Sequence, residues 1–385
     1  MRVLIVTSKY LPSVGGLETA VRELNARLRG AGHETLIVTN RHSRRLPPGE
    51  ELDGTTVRRF FFTSGLPRLT PAQLLKYPAR LAAAPAAYAG LRCVIREFRP
   101  DVVNLHFVGH PTAYLLAALR GSSIPLVVSL HGEDVETDLV QSPVRRRLFV
   151  AIASRAAYVT SNSQYLLDLA ARRCPGLREK GVVVGNGSHP LPPPVPGADR
   201  ARHILCVCRL VPKKGVDVLL RAFARLVQED AGARLVIAGN GPEMPVLQSL
   251  ARTLGVAQAV TFTGSVDRQA LSNLMANASV FCLPSRKEPF GIVLLEALSF
   301  GLPVVATAVG GVPEVLEGGA LGYLVGPDDP EALAAALSRA AAEGPPAPPE
   351  HLKKVVRERY DWGVITARYL SVYEQAIQTQ NTPPT

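Results

Sequence analysis

Short apolar runs alternate with longer amphipathic stretches along most of the chain. The runs Val3–Thr7, Thr35–Thr39, Val102–His106, Leu126–Leu130, Tyr158–Ser161 and Val182–Val184 have the length and β-branched content of buried strands. Helical stretches separate most of them, at Glu18–Gly30, Ala72–Phe98, Pro111–Leu119 and Val144–Arg155. Val57–Phe62 reads as a further strand leading into a loop near Gly65-Leu66-Pro67. After Asn186-Gly187, the proline-rich segment from Pro190 to Pro196 marks a boundary. The pattern then restarts with strands at Ile204–Cys208, Leu235–Ala238, Val260–Thr263, Val280–Leu283, Val304–Ala306 and Gly322–Val325. Helices such as Val216–Glu229 and Pro245–Leu254 lie between them. Gly344–Pro349 reads as a loop, Val364–Gln378 as a last amphipathic helix, and Thr382–Thr385 as a frayed end. The predicted class is α/β: two Rossmann-like doubly wound domains with parallel strands and helices on both faces. Their expected bounds are 1–189 and 203–360, with a linker at 190–202 and a closing segment at 361–385.

In such sheets ligands bind beyond the carboxyl ends of the strands. Nearly every expected strand here ends in glycine or a hydrogen-bonding side chain, and two facing domains would turn these edges into one deep cleft. The densest stretch runs from Leu283 to Glu314. Within it a strand closed by Pro284 gives way to a helix read over Gly291–Phe300, stopped by Gly301-Leu302-Pro303. Glu288 and Glu296 bracket the start of that helix, where the amides of Phe290, Gly291 and Ile292 form an anion site. If all eight steps between the two glutamates were helical they would be displaced by roughly 12 Å, too far to share one proton. A ligand with a hydroxylated group at each end and phosphate between them fits this spacing, which describes a nucleotide sugar. Glu296 sits among apolar residues, and a carboxylate buried there needs partners.

Other strand ends add cations and close backbone approach. Arg209 and Lys214 bracket one loop and can converge on a diphosphate, stabilising negative charge that grows on a departing phosphate oxygen. Gly15-Gly16 precedes a helix but is not the Gly-x-Gly-x-x-Gly fingerprint, which disfavours a nicotinamide cofactor. His131, followed by Gly132-Glu133-Asp134, stands at a strand's carboxyl end and can hydrogen-bond a sugar hydroxyl or the reacting centre. His106 and His110 read as structural. No Asp-x-Asp occurs, and no His, Cys and carboxylate cluster has metal-ligand spacing, so no required metal is expected.

Charge changes the picture for the first half alone. Residues 1–200 carry 26 Lys and Arg against 15 Asp and Glu, while residues 201–385 carry 17 of each. That asymmetry points to an anionic partner, and without a zinc-finger or aromatic RNA-binding pattern nucleic acid is a poor candidate. Arg145-Arg146-Arg147 and the apolar stretch from Lys76 to Arg99 are read equally well as solvated basic faces or as docking surfaces for anionic lipid. The five cysteines form no Cys-x-x-Cys pair and read as small core or near-core residues in a reducing compartment. No run reaches the ~20 apolar residues of a membrane-spanning helix, and the expected location is cytoplasmic, at most peripheral on the inner face of the cell membrane.

Gly15-Gly16, His131-Gly132 with Asp134, Asn186-Gly187, Arg209 with Lys214-Gly215, Gly239-Asn240-Gly241-Pro242, the Glu288 and Glu296 pair, and Gly310-Gly311-Val312-Pro313-Glu314 occur together in this order. In this the chain resembles the family-four retaining glycosyltransferases of GT-B fold over nearly its whole length. The resemblance implies that Glu296 binds ribose hydroxyls and that Arg209, Lys214 and the Gly16 amide hold the diphosphate. It further implies that Glu288 and the amides of Phe290, Gly291 and Ile292 hold the donor sugar, with His131 near its reactive face. Val266 is similar to the base-contacting position, and Gly239 belongs to the donor loops. The first domain would bind the acceptor, and the last helix would cross back to it. Two departures are Cys208, in place of the usual glycine before Arg209, and the absence of an aspartate in Asn186-Gly187-Ser188-His189.

The expected reaction is transfer of a sugar from a UDP-sugar or GDP-mannose to a glycan, lipid-linked or other hydroxyl acceptor, without a metal or other cofactor. No residue stands out as a nucleophile for double displacement, which favours front-face substitution with the leaving phosphate helping to deprotonate the acceptor. Two alternatives remain: a sugar-nucleotide epimerase of the same architecture, and a non-catalytic sugar-nucleotide-binding subunit.

Overall fold

The computed structural model describes residues 1–13, 15–63, 71–136, 143–188, 190–195 and 203–381, without the side chains of 71–81 and 381. The loop expected near Gly65-Leu66-Pro67, His189, the Pro196 end of the linker and the expected frayed end Thr382–Thr385 lie outside these residues. The chain forms two compact units, one of Met1–Gly185 with Trp362–Thr385 and one of Asn186–Asp361. The chain thus passes to the second unit a few residues before the proline run.

The first unit is built on eight strands: β1 (Arg2–Thr7), β2 (Glu34–Asn40), β3 (Gly49–Leu52), β4 (Thr55–Phe60), β5 (Val102–His106), β6 (Leu126–Leu130), β7 (Tyr158–Ser161) and β8 (Gly181–Val183). Their order is β3-β4-β2-β1-β5-β6-β7-β8. Strands β1, β5 and β6 are rich in Val, Leu and Ile on both faces and lie buried in parallel pairing, as central strands of a helix-covered sheet do. β3 departs from the expected parallel pattern, pairing antiparallel to β4 at the edge. Its polar Gly-Glu-Glu-Leu carries no apolar run, and Asp53-Gly54 turns the chain back with positive φ at both residues.

The closing helix spans Trp362–Asn381 and belongs to this unit. Its Trp362, Ile365, Tyr369, Val372, Tyr373 and Ala376 recur at helical spacing and pack into the core with Val3, Ile5 and Val127. Each large side chain buried there contributes about 1.5–3 kcal/mol.

The second unit holds six parallel strands: β9 (His203–Val207), β10 (Leu235–Ala238), β11 (Val260–Gly264), β12 (Ala278–Leu283), β13 (Val304–Thr307) and β14 (Tyr323–Val325). Their order is β11-β10-β9-β12-β13-β14, so the connection reverses direction between β9 and β12. The helix Val216–Glu229 buries Val216, Leu219, Leu220, Phe223 and Leu226 against one face of this sheet.

Several helices escaped the apolar pattern: Gln164–Ala171, Arg268–Asn277, Pro330–Glu343 and Pro349–Tyr360. Three of them start at a side-chain cap, with Ser163, Asp267 and Asp329 accepting from amides of the first turn. The segment read as a loop to Pro349 therefore ends where a helix begins, since proline suits the first helical turn.

Candidate functional site

In the second unit three loops meet over the carboxyl ends of β9, β12 and β13, where the strand order reverses. They are locked to one another through backbone. Gly215 has φ +63° and packs so closely that a Cβ there would stand 2.0 Å from the Pro284 carbonyl oxygen. Gly310, at φ +58°, would place a Cβ 1.9 Å from the carbonyl oxygen of Glu288. The amides of Arg286 and Gly311 complete the lock by donating to the carbonyls of Lys213 and Glu288 at 2.8 and 3.1 Å. Only glycine fits such positions, because a side chain would both clash and strain the left-handed backbone. Gly239 and Gly241 do the same for the neighbouring loop, against the carbonyls of Cys208 and Leu210.

This scaffold brings Lys214 and Glu288 together. Lys214 Nζ lies 2.5 Å from Glu288 Oε2, and Ser285 Oγ lies 3.5 Å from the same oxygen. The two side chains are 17% and 10% exposed, so the pair is sheltered yet open on one side. Arg209, at the other end of the loop after β9, is exposed. Arg286 anchors the loop beneath: it bridges both carboxylate oxygens of Asp217 at 2.8 and 2.7 Å and reaches Asp328 at 2.6 Å. The sequence pattern left Arg286 unassigned, because nothing marks Asp217 and Asp328 as its partners before the chain folds.

The helix expected over Gly291–Phe300 spans Ile292–Ser299, with Gly291 as a left-handed cap at φ +88°. Among the described residues, the amides of Phe290, Gly291 and Ile292 donate to no other group. They form the predicted free helix N-terminus, beside the Lys214 and Glu288 pair. Phe290 itself is buried and meets the Tyr360 ring edge-on at 6.0 Å. One helical turn on, the Glu296 carboxylate is partly exposed and accepts no hydrogen bond among the described residues. Burial pushes its carboxyl up to about 7, against a smaller opposing pull from Arg268. Arg268 opens the helix that follows Val266, which is half-buried just beyond β11.

The first unit holds Gly16 and His131. Gly16 is the exposed first residue of the helix Gly16–Gly30, and the buried Glu18 lies against Gly15. His131 follows β6, and its amide donates to Asp134 Oδ1 at 3.2 Å, as does the Gly132 amide at 2.9 Å. Burial pushes the Asp134 carboxyl up to about 6 although these amides pull it down. His106, read from sequence as structural, is in hydrogen-bond contact with His131: its Nδ1 lies 3.0 Å from His131 Nε2. The clue lay in register, since His106 ends β5 opposite Ser129 of β6, two residues before His131.

Among the described residues no group of three or more His, Cys, Asp or Glu side chains is arranged to hold a metal ion. No helix among them is long and apolar enough to cross a membrane.

Two linked Rossmann-like units, with glycine-locked loops over the carboxyl ends of the second sheet, have the architecture of the GT-B fold. Residues 14–190 match the family described as Glycosyltransferase Family 4, and residues 194–359 match Glycosyl transferases group 1. The chain is 30% identical over 345 residues to the GDP-mannose-dependent alpha-(1-6)-phosphatidylinositol monomannoside mannosyltransferase of Mycobacterium tuberculosis, covering 84% of this chain and 85% of that one. It is 29% identical over 414 residues to the glycogen synthase of the same organism, covering 100% and 97%. Among solved structures, sucrose-phosphate synthase from Thermosynechococcus elongatus superposes with a TM-score of 0.80 at 20% identity, over 98% of this chain and all of that one. The protein belongs to the family-four glycosyltransferases of GT-B fold.

Proposed function

We propose that the protein is a retaining, metal-independent glycosyltransferase that moves a sugar from a UDP-sugar or GDP-mannose to a hydroxyl of a glycan or lipid-linked acceptor. The observation that carries this reading is the sheltered Lys214 and Glu288 pair beside the free amides of Phe290, Gly291 and Ile292. Glu288 and these amides hold the donor sugar. Lys214 and Arg209 hold the diphosphate and stabilise the charge that builds on it as the sugar leaves. Glu296 accepts from ribose hydroxyls, which supply the partners its carboxylate lacks. Val266 and Gly239 flank the nucleotide, and His131 meets a substrate hydroxyl.

Substitution proceeds on one face of the sugar. The bond from the anomeric carbon to the diphosphate oxygen breaks, the acceptor oxygen bonds to that carbon, and its proton passes to the leaving phosphate. Cations and helix amides do here what a divalent metal does elsewhere, so no cofactor is required.

A lipid-linked acceptor is supported by the mycobacterial relative named for a phosphatidylinositol monomannoside. It is also supported by Arg145, Arg146 and Arg147 on the exposed start of the helix Pro143–Arg155. A cytoplasmic location, peripheral on the inner membrane face, fits five free thiols and this basic surface. Stronger sedimentation with anionic than with neutral vesicles is expected; equal sedimentation removes the docking.

A thermal-shift panel of UDP-, GDP- and ADP-sugars identifies the donor, since ligand binding raises apparent stability. Transfer is then assayed in EDTA, and the product anomer is read by NMR. Retained anomeric configuration is expected. Inversion, loss of transfer in EDTA, or conversion of the donor without any acceptor (the epimerase outcome) contradicts the proposal.

A further inference from the structure

Beneath His131 a chain of buried polar groups runs to the closing helix. His131 Nε2 lies 3.0 Å from His106 Nδ1, and His106 Nε2 lies 3.0 Å from Asn104 Nδ2. Asn104 Nδ2 also donates to Tyr373 Oη at 2.6 Å, while its Oδ1 accepts from Ser129 Oγ at 3.0 Å. Thr160 Oγ1 donates in turn to Ser129 Oγ at 2.8 Å. Asn104, His106 and Tyr373 are at most 1% exposed.

The directions of these bonds propagate. An amide nitrogen only donates, so His106 Nε2 accepts, and a neutral imidazole accepting there carries its proton on Nδ1. That N–H points at His131 Nε2, which must therefore accept, leaving the His131 proton on its own Nδ1. Burial favours the neutral form of both rings, holding His131 down at about 4 and His106 well below the usual histidine range. Around them, the Tyr369 and Tyr373 phenols are pushed up by burial, and Asp134 is engaged by backbone amides.

We propose that His106 is a positioning residue: held by Asn104 and Tyr373, it fixes His131 as the Nδ1–H tautomer, making His131 a hydrogen-bond donor to substrate rather than a general base. The basic nitrogen of His131 is occupied by His106 and has no lone pair left for an acceptor proton. That proton then goes to the leaving phosphate, as front-face substitution requires. What His131 touches rests on the glycosyltransferase reading; its tautomer does not.

The test uses full-length protein labelled with ¹⁵N-histidine. Two-bond ¹H–¹⁵N correlation spectra at pH 7 report directly which nitrogen is protonated, with His131 assigned by its loss in His131→Asn and His106 by its loss in His106→Phe. Protonated Nδ1 and bare Nε2 are expected in both rings. An Nε2–H tautomer or a doubly protonated ring at His131 overturns the proposal, whatever the enzyme transfers. In His106→Phe the His131 pattern is expected to move towards Nε2–H; if that variant does not fold, the wild-type spectrum alone decides.

Rescue supplies the second readout. Asparagine places its amide nitrogen near Nδ1 and glutamine near Nε2, so His131→Asn is expected to turn over on the order of tenfold faster than His131→Gln. Equal turnover contradicts a donor role at Nδ1. A protein that transfers no sugar, yet shows the expected tautomer, would instead count against the functional reading.

Discussion

The two units hold their clusters of polar groups in opposite ways. In the second, Lys214 and Glu288, on loops locked by glycine, and Glu296, on the helix that follows, lie where solvent still reaches them. In the first, Asn104, His106 and Tyr373 are sealed from solvent, bonded to one another and neutral. Burying charge without partners costs far more than burying satisfied neutral groups. On the proposed reading, a site that takes an anionic ligand stays open to solvent, whereas a network that orients one imidazole can be dry. Substitutions in the two units should accordingly fail in different ways.

The largest effect is expected at the charged site. Lys214→Ala and Arg209→Ala should each lower turnover at saturating donor by about 10²–10³-fold, the range seen when a donor to developing negative charge is removed. Steady-state kinetics decides: a rise confined to the Michaelis constant would mean ground-state binding only.

Glu296→Gln should weaken donor binding by roughly 10–100-fold, the worth of a hydrogen bond to a charged group. The sign of the accompanying pH effect follows from the carboxyl held up at about 7. Ribose hydroxyls favour the ionised form, so bound donor lowers that value and binding releases protons. Wild-type affinity should rise with pH up to about 7 and level off above it, while the variant stays flat. Calorimetry in buffers of different ionisation enthalpy measures both.

Gly310→Ala tests the scaffold itself. The added Cβ would meet the Glu288 carbonyl in a left-handed conformation, and a loss of at least ~1 kcal/mol is expected, visible as a lower melting temperature. The smallest effect belongs to the sealed network. Tyr373→Phe removes one hydrogen bond without removing the ring, and a loss of about 1 kcal/mol is expected with donor affinity unchanged.

The same contrast explains what could be read from the chain before it was folded. Strands β5, β6 and β10 are short runs rich in Val, Leu and Ile, and their ends were legible to the residue. The convergence of the second-unit loops was legible because its parts lie in short stretches whose residue types declare their chemistry: glycine for close approach, Lys and Glu at loop ends, amides at a helix start. β3 escaped because its pairing, not its composition, makes it a strand. The contacts of His106 and Tyr373 escaped for the same reason. Tyr373 is 269 positions from Asn104, and only the packing of the closing helix brings them within 2.6 Å. Arg286 lies inside the most telling stretch, yet its role depends on two aspartates outside it.

The proposed function requires that the second-unit constellation of Lys214, Glu288 and Glu296 grip a nucleoside-diphosphate sugar. Titration calorimetry of the full-length protein against UDP-, GDP- and ADP-sugars, repeated with Lys214→Ala and Glu296→Gln, asks this directly. At least one donor should bind the wild type and bind each variant at least tenfold more weakly. Binding of a donor with equal affinity to all three proteins, or of none of the three donor classes to the wild type, would contradict it.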